Sequence, residues 1–76
     1  MIINESTFKD AYNDYFEIIC RFLNYYTRDY QVIEEVVQDV FVNLWEDYEG
    51  KDVQYIKTFL YNSARNRMLN YLRDEE

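Results

Sequence analysis

Residues 33–48 read IEEVVQDVFVNLWEDY, and within them Ile33, Val37, Val40, Leu44 and Tyr48 recur three or four positions apart. That recurrence follows one face of a helix with 3.6 residues per turn, and Val36, Phe41 and Trp45 widen the stripe. Asp29 stands where a side-chain oxygen caps the start, and the sole glycine, Gly50, stands just past the end. The stretch predicts a helix over about 29–48. Upstream, Phe8, Tyr12, Tyr15, Ile19, Phe22 and Tyr26 keep the same spacing beside Ala11, Phe16 and Leu23. They predict a helix over about 6–27 that ends near Tyr26, with Ser6 or Thr7 as its cap and Thr7 with Asp10 as a loose capping box. Downstream, Val53, Ile56, Phe59, Leu60, Ala64, Met68, Tyr71 and Leu72 mark the inward face of a third helix over about 53–73. The breaks, Thr27-Arg28-Asp29 and Glu49-Gly50-Lys51-Asp52, are short, so the first two helices are expected to pack antiparallel. The expected fold is all-α, a compact bundle of three main helices forming a single domain over 1–76.

Composition agrees with that reading and removes several classes of function. A chain of 76 residues buries only about 60% of its unfolded surface, so large side chains must supply the core. Nine Tyr, five Phe and Trp45 do so; Trp45 is read as largely buried, and tyrosine suits a core edge where its hydroxyl stays wet. With no Pro, one Gly and 30% charged residues, the chain is too apolar for a disordered tail and too poor in turn residues for a β-sandwich. Cys20 has no second cysteine to pair with, and without any His no zinc site or Cys–His nucleophile is expected. Cys20 reads as a small core residue. No Gly-rich phosphate loop and no carboxylate pair placed in a pocket is apparent, so neither an enzyme nor a cofactor is expected. No secretory signal precedes Phe8 and no apolar run approaches the roughly 20 residues of a membrane span, which points to a soluble, cytoplasmic protein without membrane insertion.

Charge is segregated along the chain. Residues 1–50 hold eleven carboxylates against Lys9, Arg21 and Arg28, a balance of −8 within an overall −7. Val53–Arg73 carries Lys57, Arg65, Arg67 and Arg73 with no carboxylate, and Asp74, Glu75 and Glu76 close the sequence. An acidic body with one basic, amide-rich helix suits a basic protein on one side and phosphates on the other. On the second helix Glu35, Asp39 and Val42 share a face flanked by Gln38, an acidic and amide strip that suits either a basic protein surface or the solvated side of an amphipathic helix. Gln38 lies between Val37 and Val40 beside the apolar stripe, where an unpartnered amide is costly, so a partner is expected for it. On the third, Asn62, Ser63, Asn66 and Arg67 form one patch suited to base edges, while Lys57 and Arg65 suit phosphates. Tyr55 and Phe59 add aromatic faces, although Phe59 and Tyr61 suit the core equally.

Taken together, three fragments resemble conserved region 2 of bacterial sigma factors. They are Glu34 to Glu46, which contains Val37-Gln38-Asp39 followed by Phe41 and Trp45; Phe59-Leu60-Tyr61-Asn62-Ser63-Ala64-Arg65-Asn66; and Asn70-Tyr71-Leu72-Arg73. The extracytoplasmic-function (ECF) group is the nearest match, and the resemblance runs from about Phe8 to Arg73. It implies a helical domain that docks Glu35, Gln38, Asp39 and Val42 on the beta-prime clamp helices of RNA polymerase. It further implies recognition of the minus-ten promoter element on the melted non-template strand. A base flipped from that strand would enter the loop formed by Tyr48, Glu49, Gly50, Lys51 and Asp52, and an anti-sigma factor is an expected partner. Two departures stand out: Phe59 replaces the Trp that is frequent there, and the third helix has fewer cations than many members carry. Promoter affinity is therefore expected to depend on the polymerase. The resemblance runs out with region 2, and no helix-turn-helix domain for the minus-thirty-five element is expected within these 76 residues. The rival reading is a helical protein-interaction module, such as an anti-sigma-binding fragment, with no DNA recognition of its own.

Overall fold

Asn4 opens the first helix, α1 (Glu5–Leu23). Its Oδ1 accepts from the Thr7 backbone N–H at 2.9 Å, and Thr7 Oγ1 accepts from the Asn4 N–H at 2.9 Å, satisfying two orphan donors reciprocally. The cap is thus Asn4; Thr7 serves from the third helical position, and Ser6 and Asp10 are not part of the box. A computed structural model of the chain describes residues 1–74, with Glu75 and Glu76 of the acidic ending outside them. α1 closes at Leu23, earlier than its apolar period suggests. Tyr25 N–H and Tyr26 N–H donate three residues back, to Phe22 and Leu23, so the chain tightens into turns and the predicted end near 26–27 belongs to the connection.

Asp29 caps α2 (Tyr30–Tyr48) as expected, its carboxylate accepting from the Gln31 N–H at 3.1 Å. α2 ends where Gly50 takes a φ of +79°, a left-handed conformation in which an added Cβ would meet nothing within 4 Å. Backbone conformation, not space, is what requires glycine there. α3 (Ile56–Asp74) starts three residues later than predicted. Val53 does point inward, at 7% exposure, but its N–H donates to Met1 O at 2.8 Å instead of entering a helix.

That bond belongs to a feature that helical periodicity does not reveal. Residues 1–3 lie along the α2–α3 loop: Gly50 N–H donates to Ile3 O at 2.7 Å and Ile3 N–H to Lys51 O at 3.0 Å. Bridges pair Ile2 with Asp52 and Ile3 with Glu49, and the Met1 amine reaches Asp52 Oδ1 at 2.7 Å. Ile3 is fully buried and joins the core.

α2 supplies most of that core through Val32, Ile33, Val36, Val37, Val40, Phe41 and Leu44. α3 contributes Leu60, Ala64 and Met68 at four-residue spacing, and α1 contributes Ala11, Ile19 and Leu23. No polar residue is buried among those described. The aromatic members of the α1 stripe therefore sit at the rim of the core, and Tyr12 is 38% exposed. No tyrosine is fully buried, which keeps each hydroxyl within reach of water. Ring contacts show that α1 and α2 run antiparallel: Phe8 lies 5.3 Å from Trp45, and Tyr12 5.0 Å and Phe16 6.3 Å from Phe41. α3 in turn runs antiparallel to α2, since Tyr48 meets Phe59 and Asp39 meets Arg67. Trp45 is largely but not fully buried, packing against the core from its edge, and Phe41 occupies the centre of the aromatic cluster.

Candidate functional site

Once α2 has spent seven residues on the core, Glu35, Gln38, Asp39 and Val42 remain on its outside, all exposed. Gln38 is solvent-accessible, so the burial cost argued from its neighbours does not arise; its side chain projects clear of the apolar stripe. Glu35 and Gln38 border a shallow concavity with Asp29, Gln31 and Tyr71. Val42, 51% exposed, borders an apolar groove floored by Phe8 and Trp45 and edged by Glu5, Lys9 and Glu46. The uncovered edge of the indole thus adds apolar area beside the acidic strip.

α3 buries Leu60, Ala64 and Met68 and turns its remaining faces outward. Lys57, Asn62, Arg65, Asn66 and Arg67 are exposed and Ser63 is half-buried. By helical geometry Asn62 and Asn66 face away from the core, Ser63 and Arg67 lean towards α2, Arg65 lies on the opposite flank, and Lys57, exposed in the first turn, extends the line of Leu60, Ala64 and Met68. Arg67 Nη1 stands 4.0 Å from Asp39 Oδ2. Both groups are substantially exposed, and such a pair contributes about 0–1 kcal/mol. Its meaning is positional: the α2 strip and the α3 patch share an edge there. Beyond the patch, Arg73 Nη2 donates to Asn70 Oδ1 at 3.0 Å. Tyr55 is 69% exposed, whereas Phe59 is half-buried edge-on against Tyr48, with ring centroids 4.8 Å apart.

The α2–α3 loop is held on several sides. Glu49 N–H donates to Trp45 O and Lys51 N–H to Tyr48 O, while Lys51 Nζ lies 5.8 Å from the Tyr48 ring centroid. Together with the contacts of residues 1–3, these bonds give Tyr48, Glu49, Gly50, Lys51 and Asp52 one defined shape. The signal for the brace was the apolar pair Ile2-Ile3 ahead of the Asn4 cap, which carries no period because it is too short.

Cys20 is half-buried, and its thiol is pushed above its ordinary pKa by burial, reinforced by Glu34 and Glu17. It is held in the protonated, unreactive form. Among the described residues no group of three His, Cys, Asp or Glu side chains is set to hold a metal ion, and no helix is long and apolar enough to cross a membrane.

The Sigma-70 region 2 family matches residues 11–76. Over 67 residues the chain is 28% identical to the ECF RNA polymerase sigma factor SigM of Bacillus subtilis (strain 168), a stretch covering 88% of this chain and 41% of that protein. The chain therefore spans less than half the length of that relative. No solved structure matches it.

Proposed function

The chain belongs to the sigma-70 region 2 family, and from that premise we propose that residues 1–76 act as one domain in transcription initiation. In this reading the α2 strip docks on the beta-prime clamp helices of RNA polymerase and α3 reads the melted minus-ten element. The observation that carries it is the shared edge at Asp39 and Arg67. It supports a division in which a basic protein partner meets α2 while a nucleic-acid strand passes over the adjoining α3 surface. The braced loop of residues 48–52 is the proposed receptor for a base flipped from the non-template strand. Extrusion costs a few kcal/mol, which a shape held in advance offsets better than a mobile one. An anti-sigma factor covering either face is the proposed regulator.

Docking is tested by charge reversal. Glu35→Lys, on an exposed position, is expected to leave circular dichroism unchanged and to weaken pull-down of the beta-prime clamp helices. Asp39→Arg removes a docking carboxylate and also frees Arg67, so it is expected to weaken pull-down and alter promoter binding together. Undiminished capture of the clamp helices by both variants moves the docking site off α2.

Reading of the promoter is tested at Asn66. With core polymerase present, Asn66→Ala is expected to lose about 1–3 kcal/mol against the preferred minus-ten sequence and much less against a scrambled one. An intact preference makes the patch a solvated face and leaves the interaction-module reading as the better account.

A further inference from the structure

At the C-terminal end of α1, Arg21 and Arg28 line a concavity with Phe22, Tyr25 and Tyr61. These are two of only three cations in residues 1–50, against eleven carboxylates. The ion pairs among the described residues are Met1–Asp52 and Arg67–Asp39, so neither arginine has a carboxylate within 4.0 Å there. Tyr25 is 89% exposed and free to offer its ring. Phe22 packs 4.8 Å from Tyr61 and 5.7 Å from Tyr26, making a fixed aromatic wall behind the arginines.

Tyr61 connects this concavity to α3. Lys57, Tyr61 and Arg65 recur at four-residue spacing and so lie along one flank of the helix. That flank is the side of α3 turned away from Asp39, and its middle member lines the concavity. Two arginines at the end of α1 and the Tyr61 ring of α3 thus border one concavity, with Lys57 and Arg65 one turn to either side of Tyr61 along α3. Guanidinium groups take phosphate oxygens in bidentate fashion, and an exposed ring takes a base of any identity.

We infer that this concavity is a second contact for single-stranded DNA, in which Arg21 and Arg28 hold phosphates and Tyr25 stacks on a base without selecting it. The inference rests on the promoter-strand reading above and extends it past α3. An acidic peptide would satisfy the arginines but leave the rings unused, and for that reason the strand is the favoured occupant.

The test is NMR of the chain titrated at low salt with a short single-stranded oligonucleotide of mixed sequence, a method that reads weak binding without the polymerase. Resonances of Arg21, Tyr25, Arg28 and Tyr61 are expected to shift. R21Q/R28Q is expected to flatten the salt dependence by about 1.4, from two contacts at about 0.7 each for single strands. Tyr25→Ala is expected to weaken binding about fivefold or more, the loss of one stacked base. All three positions are exposed, so folding is not at risk. Shifts confined to Asn62 and Asn66 overturn the inference while leaving the α3 reading in place. Shifts at Arg21 and Tyr25, combined with an Asn66→Ala variant that keeps its promoter preference, support the inference while the reading of α3 falls. Absence of any shift, or stronger shifts at these residues with polyglutamate than with the oligonucleotide, overturns it.

Discussion

Phe41→Ala is expected to abolish cooperative folding of the chain at room temperature. Phe41 is 1% exposed, and Phe8, Tyr12 and Phe16 all pack on it, at centroid distances of 6.2, 5.0 and 6.3 Å. Truncating a buried phenylalanine costs about 3–5 kcal/mol, and lost aromatic pairings add about 0.5–1.5 kcal/mol each. A domain of this size has about 5 kcal/mol to lose. Thermal unfolding followed by circular dichroism checks this, and the comparison that gives it force is Trp45→Ala. The indole keeps one edge uncovered at the Val42 groove and packs on the core from its rim, so its removal is expected to lower the melting temperature by less than Phe41→Ala does while leaving a cooperative transition. A Phe41→Ala protein that melts cooperatively within a few degrees of the parent would show that the aromatic cluster is rim decoration and that the aliphatic residues of α2 suffice.

Ile3→Ala is expected to have the next largest effect, costing about 2–5 kcal/mol from a position at the very start of the chain. The side chain is wholly buried, and its backbone holds both Gly50 and Lys51. Two consequences are separable. The global loss is read as a lower melting temperature, with about 4–8 °C expected per kcal/mol for a domain of this size. The local loss is read by hydrogen exchange, where the Gly50 and Val53 amides are expected to lose protection before those of α2. Should Ile3→Ala prove too unstable to study, Ile3→Val, at about 0.5–1.5 kcal/mol, still reports the order of opening. Unchanged stability together with unchanged exchange at Gly50 would detach residues 1–3 from the loop.

The three helices were legible because each spends its apolar residues at helical spacing, and that spacing is visible without coordinates. The Asp29 cap and the stop at Gly50 were legible because each depends on one local side chain or φ angle. The spacing misleads where a residue is apolar for a reason other than helix burial. Val53 fits the α3 period but is inward-facing as part of a paired loop, and Tyr26 fits the α1 period but lies in a turn. Trp45 and Tyr12 fit their stripes yet sit at the rim, because two facing helices close over the middle of a stripe and leave its edges open. The placement of Glu35, Asp39 and Val42 outside α2 followed from the same period. The contact of Asp39 with Arg67, and the meeting of Arg21, Arg28 and Tyr61, did not, since spacing within a helix says nothing of which flank meets which neighbour.

The brace of residues 1–3 also sets an order of events in time. The pairings of α1 with α2 and of α2 with α3 each join neighbouring segments, whereas Met1 and Asp52 are separated by 51 positions. Closing a loop of that length costs about 3.5 kcal/mol of chain entropy by the logarithmic law. The helical hairpins are therefore expected to form first, and the terminal segment to dock after the transition state, completing the loop of residues 48–52 last. A late contact of this kind governs how fast the native state is left, not how fast it is reached. In stopped-flow measurements Ile3→Ala should accordingly steepen escape from the folded form while the refolding rate hardly moves. The proposed base receptor would then be the first part of the molecule to open, ahead of the helices that carry it.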